Sequence, residues 1–459
     1  MKMVKKWICG VLTLLLLVSL CACNADRYIT GNGSSTHTGS GAHTPSLRPT
    51  ESGTATEFPR YTDAYPLMPT EESTLPEETE PLSTTPPATG TVPPETTQPK
   101  PEVNLFEGYD IPQYRTRYTL LTEDEQYVYR QLRKCVLNDT YTCTLPQVEY
   151  DRFIPVLERA AYALYTDFPE FFWISYAVRY SYVSSQSVGD LELSLWCNSY
   201  WHDVTNRRAY INAAMSRAQD IADQAMEKYS TDFERLRFIH DYITTNVTYD
   251  HEAAAMLGRP DQTPENMQAY STYGALVRGY AVCEGYAKTF KLIANLCGYD
   301  CEYAEGEAGG RHAWNYMTLN GHNYWVDVTW DDPDSDINPA VRQYTYFGIN
   351  SQRLYLTHTP DTKFFDPPVC SDTTFDFFHY TQSHFDRYDF GAVKETAREQ
   401  ATYGMCVNLR FDTPEQMQAA IDDLLGSNYR CSQLELYGKK VVLYYSNWTH
   451  IVLTLVLQQ

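Results

Sequence analysis

Along this chain the spacing of apolar positions changes several times, and each change predicts a different kind of element. The opening "MKMVKKWICGVLTLLLLVSLCAC" sets three lysines before an apolar run from about Trp7 to Leu20. That run is too short to span a bilayer as a stable helix and has the form of a signal peptide, residues 1–22. Over 23–103 apolar periodicity vanishes in favour of Thr, Ser, Pro and Gly ("TEESTLPEETEPLSTTPPATGTVPPETTQPKPE"). Such a stretch cannot bury a core, so it predicts a disordered tether with a reach of at most roughly 250 Å.

Helical spacing begins beyond the tether. Thr122 to Glu125 has the form of a capping box before a helix over Tyr127–Leu137, and a second helix is predicted over Arg152–Thr166. "FFWISYAVRYSYV" and "LELSLWC" read as strands, and a long helix is predicted near Arg207–Tyr229. These elements make a helical-plus-β module over 104–229. A second capping box, Thr231 to Glu234, opens "DFERLRFIHDYITTNV", in which Phe233, Leu236, Ile239, His240 and Ile243 share one face. On that stripe His240 reads as a core-edge residue rather than a catalytic one.

After Gly298 the period shortens to that of strands: "CEYAEGE", then "RHAWNYMTL" and "HNYWVDVTW" joined by Asn320-Gly321. Asn-Gly between two such runs predicts a type I′ hairpin, because both residues tolerate positive φ. With Leu319 and His322 flanking the turn, His312 faces Thr329 and Trp314 faces Asp327. His312 and Asp327 are then diagonal neighbours on one face of the ribbon. In the last part of 361–459, "YGMCVNLRF", "TPEQMQAAIDDLL", "YRCSQLELYG" and "KVVLYYSNWTHIVLTLVL" predict strand, helix, strand, strand, a small α+β module.

Charge and cysteine content narrow the surroundings. The formal charge is −22, and no Lys/Arg-rich block follows the leader. Nucleic acid is therefore excluded as a partner, and anionic headgroups would repel the folded part. The leader ends Leu20-Cys21-Ala22-Cys23, which resembles a bacterial lipobox apart from Cys21, so Cys23 is expected to carry lipid and hold the chain to the outer face of the cell membrane. Of twelve cysteines, Cys9 and Cys21 would leave with the leader and Cys23 would be acylated, leaving an odd number in the folded part. An odd count outside the cytoplasm flags a reactive thiol. Cys135 with Cys143, Cys297 with Cys301, and Cys406 with Cys431 are the expected disulfides.

The candidate chemistry lies in "AVCEGYAKTFKLIANLCGY" and the hairpin that follows it. Cys283 stands at the predicted N-terminus of a helix, where unpaired N–H groups and the positive end of the dipole favour thiolate. Cys297, at the other end, gains no such help. The hairpin supplies an imidazole beside a carboxylate, which fixes the ring tautomer as a general base requires.

The segments "YGALVRGYAVCEGYAKTFKLIANLCGY" and "RHAWNYMTLNGHNYWVDVTWDDP" resemble the transglutaminase-like superfamily of papain-type thiol enzymes, over roughly Phe233 to Asn350, with looser likeness in "DFPEFFW". The resemblance implies an α+β fold with a papain-like core over 230–360. It also implies Cys283 as nucleophile, His312 as base, Asp327 as the residue that orients the base, and a thioester intermediate on amide bonds with no organic cofactor or metal. Protein or peptide of the cell envelope is the expected substrate, with hydrolysis favoured over transfer to an amine. The backbone N–H of Cys283 and the side chain of Tyr273 are candidate oxyanion donors.

Other readings are weaker. "DDPDSD" spaces Asp332, Asp334 and Asp336 like the start of a calcium loop, but Ile337 stands where Gly is required and Gln343 where a bidentate Glu belongs. Cys297 and Cys301 could be half of a zinc site, although two thiols outside the cytoplasm fit a disulfide or plain burial better. The many tyrosines could line a glycan-binding surface but suit half-buried strands. The rival of another class is a catalytically idle surface scaffold, which would have no need of all three triad residues.

Overall fold

The computed structural model describes residues 30–32, 105–106, 108–109, 116–182, 187–197, 204–257, 263–332, 341–427 and 429–458. The leader, Cys23, nearly all of the expected tether, and Asp334, Asp336 and Ile337 of the calcium-like stretch lie outside these. The fold class is α+β.

Thr122 caps α1 (Glu123–Leu137) with the reciprocal Thr–Glu125 box that the sequence predicts. The helix predicted over Arg152–Thr166 is instead three pieces: Tyr150–Phe153, a 3₁₀ turn Ile154–Val156 and α2 (Leu157–Asp167). Pro155 breaks it, since a proline has no N–H for the ladder and crowds the preceding turn. Strand β1 (Thr142–Glu149) has no counterpart in the sequence reading. Pro146 masks it, and the ladder tolerates that proline through a register shift between Leu145 and Val148, with Gln147 at φ 52°. β2 (Ile174–Ser181) and β3 (Val188–Cys197) complete this sheet, in the order Thr30–Asn32, β2, β3, β1. The short strand Thr30–Asn32 falls within the stretch expected to be a tether and pairs parallel with β2.

The long α3 (Val204–Lys228) and the Thr231-capped α4 (Asp232–Asn246) pack on α5 (Cys283–Leu296). Against α5 lies a five-stranded sheet ordered Phe347–Ile349, β6 (His322–Val326), β5 (Arg311–Leu319), β4 (Asp300–Glu307), Thr359–Pro360. The β5–β6 register pairs Leu319 with His322 and Asn315 with Val326, with Asn320 at φ 52° and Gly321 at φ 79°. This is the two-residue turn that the Asn-Gly pair predicts.

In the last module β7 (Cys406–Phe411), α6 (Pro414–Leu425), β8 (Lys440–Asn447) and β9 (Val452–Gln458) replace the predicted order in two places. "YRCSQLELYG" is a 3₁₀ turn, Arg430–Gln433, rather than a strand, because Cys431, Leu434 and Leu436 turn inward without alternation. The final apolar run is a hairpin, broken at Trp448–Ile451.

The modules are welded by buried charge. Arg117 donates to the Tyr303 carbonyl and lies 3.6 Å from Glu302, which also holds Lys291 at 2.8 Å. Arg410 of β7 grips Asp376 and the Thr345 carbonyl in full burial. Removing one member of such a buried pair leaves the other uncompensated, at a cost of about 3–5 kcal/mol.

All eight described cysteine side chains are free thiols, which corrects the disulfide expectations. Cys135 donates to the Thr142 carbonyl at 3.7 Å, with Cys143 beside it. Cys297 instead donates to the Ala222 carbonyl at 3.7 Å while Cys301 is buried in the main core. Cys406 accepts from the Arg342 N–H, and Cys431 belongs to the C-terminal module's own core. Core packing, not crosslinking, absorbs most of these side chains.

Candidate active site

Cys283 is the first residue of α5, and the preceding N-cap, Val282, offers no side-chain acceptor. The helices α1 and α4 have Thr caps for their first N–H groups, whereas α5 leaves its positive end without a side-chain cap. Gly285 explains part of the Cys-Glu-Gly sequence: a Cβ there would sit 2.5 Å from the Ala269 carbonyl oxygen and 2.8 Å from the Ala281 Cβ. Close approach of this helix start to the 269–281 loop requires glycine. Glu284 is fixed from two sides, accepting from Tyr165 of α2 at 2.5 Å and from Lys288 at 2.7 Å. The module upstream of the core therefore helps set the helix that carries the thiol.

Asn315 ties that helix to the hairpin, donating to the Ala287 carbonyl at 3.0 Å and to the Glu302 carbonyl at 3.2 Å. Three residues before it on β5, His312 is fully buried and its Nε2 lies 2.7 Å from Asp327 Oδ2. Cys283 is among the groups that act on the His312 ring. With Nε2 engaged by the carboxylate, Nδ1 is the nitrogen left for the thiol. The ring is walled by Trp314 and Trp330, each with its centroid 5.7 Å away.

Asp327 accepts four hydrogen bonds. Oδ1 receives the N–H groups of Thr329 at 3.0 Å and Trp330 at 3.1 Å, while Oδ2 receives His312 and, at 3.0 Å, Nε2 of His358. Burial pushes this carboxyl upward. The charge and hydrogen bond of His312, with the hydrogen bond of His358, more than reverse that and hold it well below the usual carboxylate range. For His312 burial favours the neutral ring, but the Asp327 charge and hydrogen bond, with smaller help from Cys283, raise it to about 10.

His358 is a residue that sequence reasoning missed. It lies thirty-one positions beyond Asp327, in a stretch without hairpin periodicity, and no local pattern marks it. Among the described residues, donor atoms of His312, Asp327 and His358 come within 4.8 Å of one another, as in a metal centre. Both Nε2 atoms face the same oxygen at hydrogen-bonding distance, however, and each must carry a proton to do so. A metal ligand must present a lone pair there instead, so the cluster reads as a hydrogen-bond network.

Tyr273 packs on Tyr210 at 4.4 Å and has Arg278 for a charged neighbour. The tyrosine whose surroundings include Cys283 is Tyr270, whose hydroxyl donates to the Ala253 carbonyl at 3.1 Å. His240 is buried between two carboxylates, 3.1 Å from Asp241 and 3.3 Å from Asp331, and the thiol is not among its partners.

Residues 219–330 match the transglutaminase-like superfamily. The kyphoscoliosis peptidases of Homo sapiens and Mus musculus are each 26% identical to this chain, over 158 and 165 residues. In both cases that is 32% of this chain, against 22% and 24% of the relatives, so the chain spans about a quarter of their length. A crystal structure described as that of a TGase shares 16% identity with a TM-score of 0.24, covering 35% of this chain and 46% of the other. The Cys-Glu-Gly helix start, the H-A-W-N strand and the V-D-V-T-W turn all lie within the matched span, and that part of the chain is a transglutaminase-like domain.

Proposed function

We propose that this protein is a cysteine hydrolase of amide or peptide bonds, tethered outside the cell membrane through lipid on Cys23. The observation that carries the reading is His312 bound to a buried Asp327 that accepts four hydrogen bonds, with Cys283 among the groups that act on the ring. In the first step Cys283 gives its proton to His312 as its sulfur bonds to the substrate carbonyl carbon, and the C–N bond then breaks. The departing nitrogen takes that proton from His312, leaving a thioester. In the second step water attacks the thioester and gives a proton to His312. The C–S bond breaks, the carboxylic acid leaves, and His312 returns the proton to the sulfur.

Asp327 keeps the proton-bearing Nε2 of His312 turned away from the thiol throughout. The uncapped N–H groups at the start of α5 suit the oxyanion of each tetrahedral intermediate. Water is present at roughly 55 M, so amine transfer requires a cleft that excludes water and positions the amine. A domain tethered in the open envelope meets water more readily than a positioned amine, which favours hydrolysis.

The test is to incubate the soluble domain and its Cys283→Ala variant with a peptide library, envelope proteins and a tagged primary amine, then read products by mass spectrometry. New termini or deamidated glutamine that depend on Cys283 are the expected result. Tagged amine on glutamine would convert the hydrolase into a transferase. No product, with a surface partner still bound by Cys283→Ala, would favour the scaffold.

A further inference from the structure

The second histidine on Asp327 has no part in the steps above, yet the fold goes to some length to bring it there. Residues 359–360, immediately after it, form the edge strand beside β4, with Pro360 opposite Gly306. A Cβ on Gly306 would lie 2.1 Å from the Thr359 carbonyl oxygen, so only glycine permits this approach. Gly306 is also the partner of His312 on its other side. His312, Gly306 and Pro360 thus lie in one row across the sheet, and His358 enters beside the end of that row.

Its orientation is set as well. Nδ1 of His358 lies 2.8 Å from the Thr357 hydroxyl, and the backbone N–H is bound by the Leu354 carbonyl. When the hydroxyl donates to Nδ1, the ring proton must sit on Nε2, which faces Asp327 Oδ2. Rings of Trp314, Trp330 and Tyr346 surround it at 4.9, 4.5 and 5.3 Å.

Two neutral donors would be enough to hold Asp327 in place, because Oδ1 already has the N–H groups of Thr329 and Trp330. What His358 adds falls on Oδ2, the oxygen that His312 uses. We infer that His358 is a positioning residue that divides the charge of Asp327 Oδ2 between two imidazoles, and so weakens the stabilisation that Asp327 gives the His312 imidazolium. A less stabilised imidazolium gives its Nδ1 proton to the leaving nitrogen more readily. The inference rests on the thiol-enzyme reading above.

Several titratable groups among the described residues face this network. His312 meets Asp327, Cys283 and His358. Asp327 also feels Asp331 and Tyr346, and His358 feels His450 of the C-terminal hairpin. Burial lowers His358 despite the Asp327 hydrogen bond, in keeping with a neutral ring.

The experiment follows iodoacetamide alkylation of Cys283 by mass mapping, from about pH 5 to about pH 10, in the full chain and in His358→Phe, His358→Asn and His358→Gln. Phe keeps the ring packing but not the donor, Asn is too short to reach, and Gln can restore an N–H to Oδ2. Without the donor His312 binds its proton more tightly, so half-maximal alkylation should move about one pH unit lower, and turnover should fall roughly tenfold. His358→Gln should return both towards the parent. Coincident profiles for Phe, Asn and parent, or a move to higher pH, would overturn the inference.

A second measurement does not depend on the variants folding. Histidine ¹⁵N shifts of the parent should show His358 neutral with its proton on Nε2, and a proton on Nδ1 would also overturn the inference. If Cys283 of the parent reacts no faster than the buried thiols, the hydrolase reading fails, while the tautomer result still decides the geometry of His358.

Discussion

Two of the buried histidine–aspartate pairs in the matched domain and its flank look alike on paper. His312 has Asp327 at 2.7 Å, and His240 has Asp331 at 3.3 Å. Both imidazoles are fully buried, and neighbouring carboxylates overcome burial to raise them to about 10 and about 9. They differ in what the second ring nitrogen meets. For His240 it is another carboxylate, Asp241 at 3.1 Å, so the ring is a charged peg between two acids. For His312 a thiol at the open end of a helix takes that place. A raised pKa therefore does not separate a base from a brace, but the partner on the free nitrogen does.

The comparison breaks most visibly at the catalytic pair. Asp327→Asn should leave the fold intact while lowering Cys283-dependent turnover by about 10³-fold or more, as equivalent triad changes do. A folded variant with undiminished turnover would remove Asp327 from the mechanism. His240→Asn should do the reverse. It strands Asp331 in the interior, so denaturant unfolding should show a loss of about 3–5 kcal/mol, with the rate of the folded fraction changed little. If His240→Asn abolished turnover at unchanged stability, the brace would be a second catalytic group.

Titration sharpens the contrast. Histidines raised above their ordinary value of about 6.5 stabilise the fold fully below that pH and lose the contribution as pH climbs through the folded value. The parent should therefore lose melting temperature progressively between about pH 6.5 and about pH 10, and His240→Asn should flatten the lower part of that decline. His450 runs the other way. Buried under Tyr346 at 4.7 Å, it is held by burial, with Arg410 and Arg353 adding to it, down to about 3. The unfolded chain takes up a proton on this residue below about pH 6.5 and the fold does not, so acid weakens the fold. Replacing it, His450→Met, should reduce the acid sensitivity of melting by on the order of 1 kcal/mol per pH unit at most, the smallest of these effects. An unchanged acid slope would show that His450 is solvated in the native protein.

Much of the site is written locally. The Asn320-Gly321 turn fixes the pairing that brings His312 and Asp327 to one face, and period-2 alternation needs nothing more distant. The Thr122 and Thr231 capping boxes give their helices because cap and acceptor are three residues apart. The same local rules erred where a proline interrupted a pattern, at Pro146 and Pro155, and where an inward-turning 3₁₀ segment imitated a strand at Arg430–Gln433. They also misjudged the cysteines, since spacing along the chain says little about which thiols meet or how apolar their surroundings are.

The sequence by itself determined the helix that starts at Cys283, the hairpin that pairs His312 with Asp327, and the acidic charge of −22. These follow from interactions within a few residues or from counting. Only the tertiary structure decided that Tyr165 of another module anchors Glu284, that His240 lies between two acids, and that His358 joins Asp327 from across the sheet. Each depends on which surfaces of separate elements are buried against one another. Packing of the whole core sets that, and no periodicity in a single segment records it.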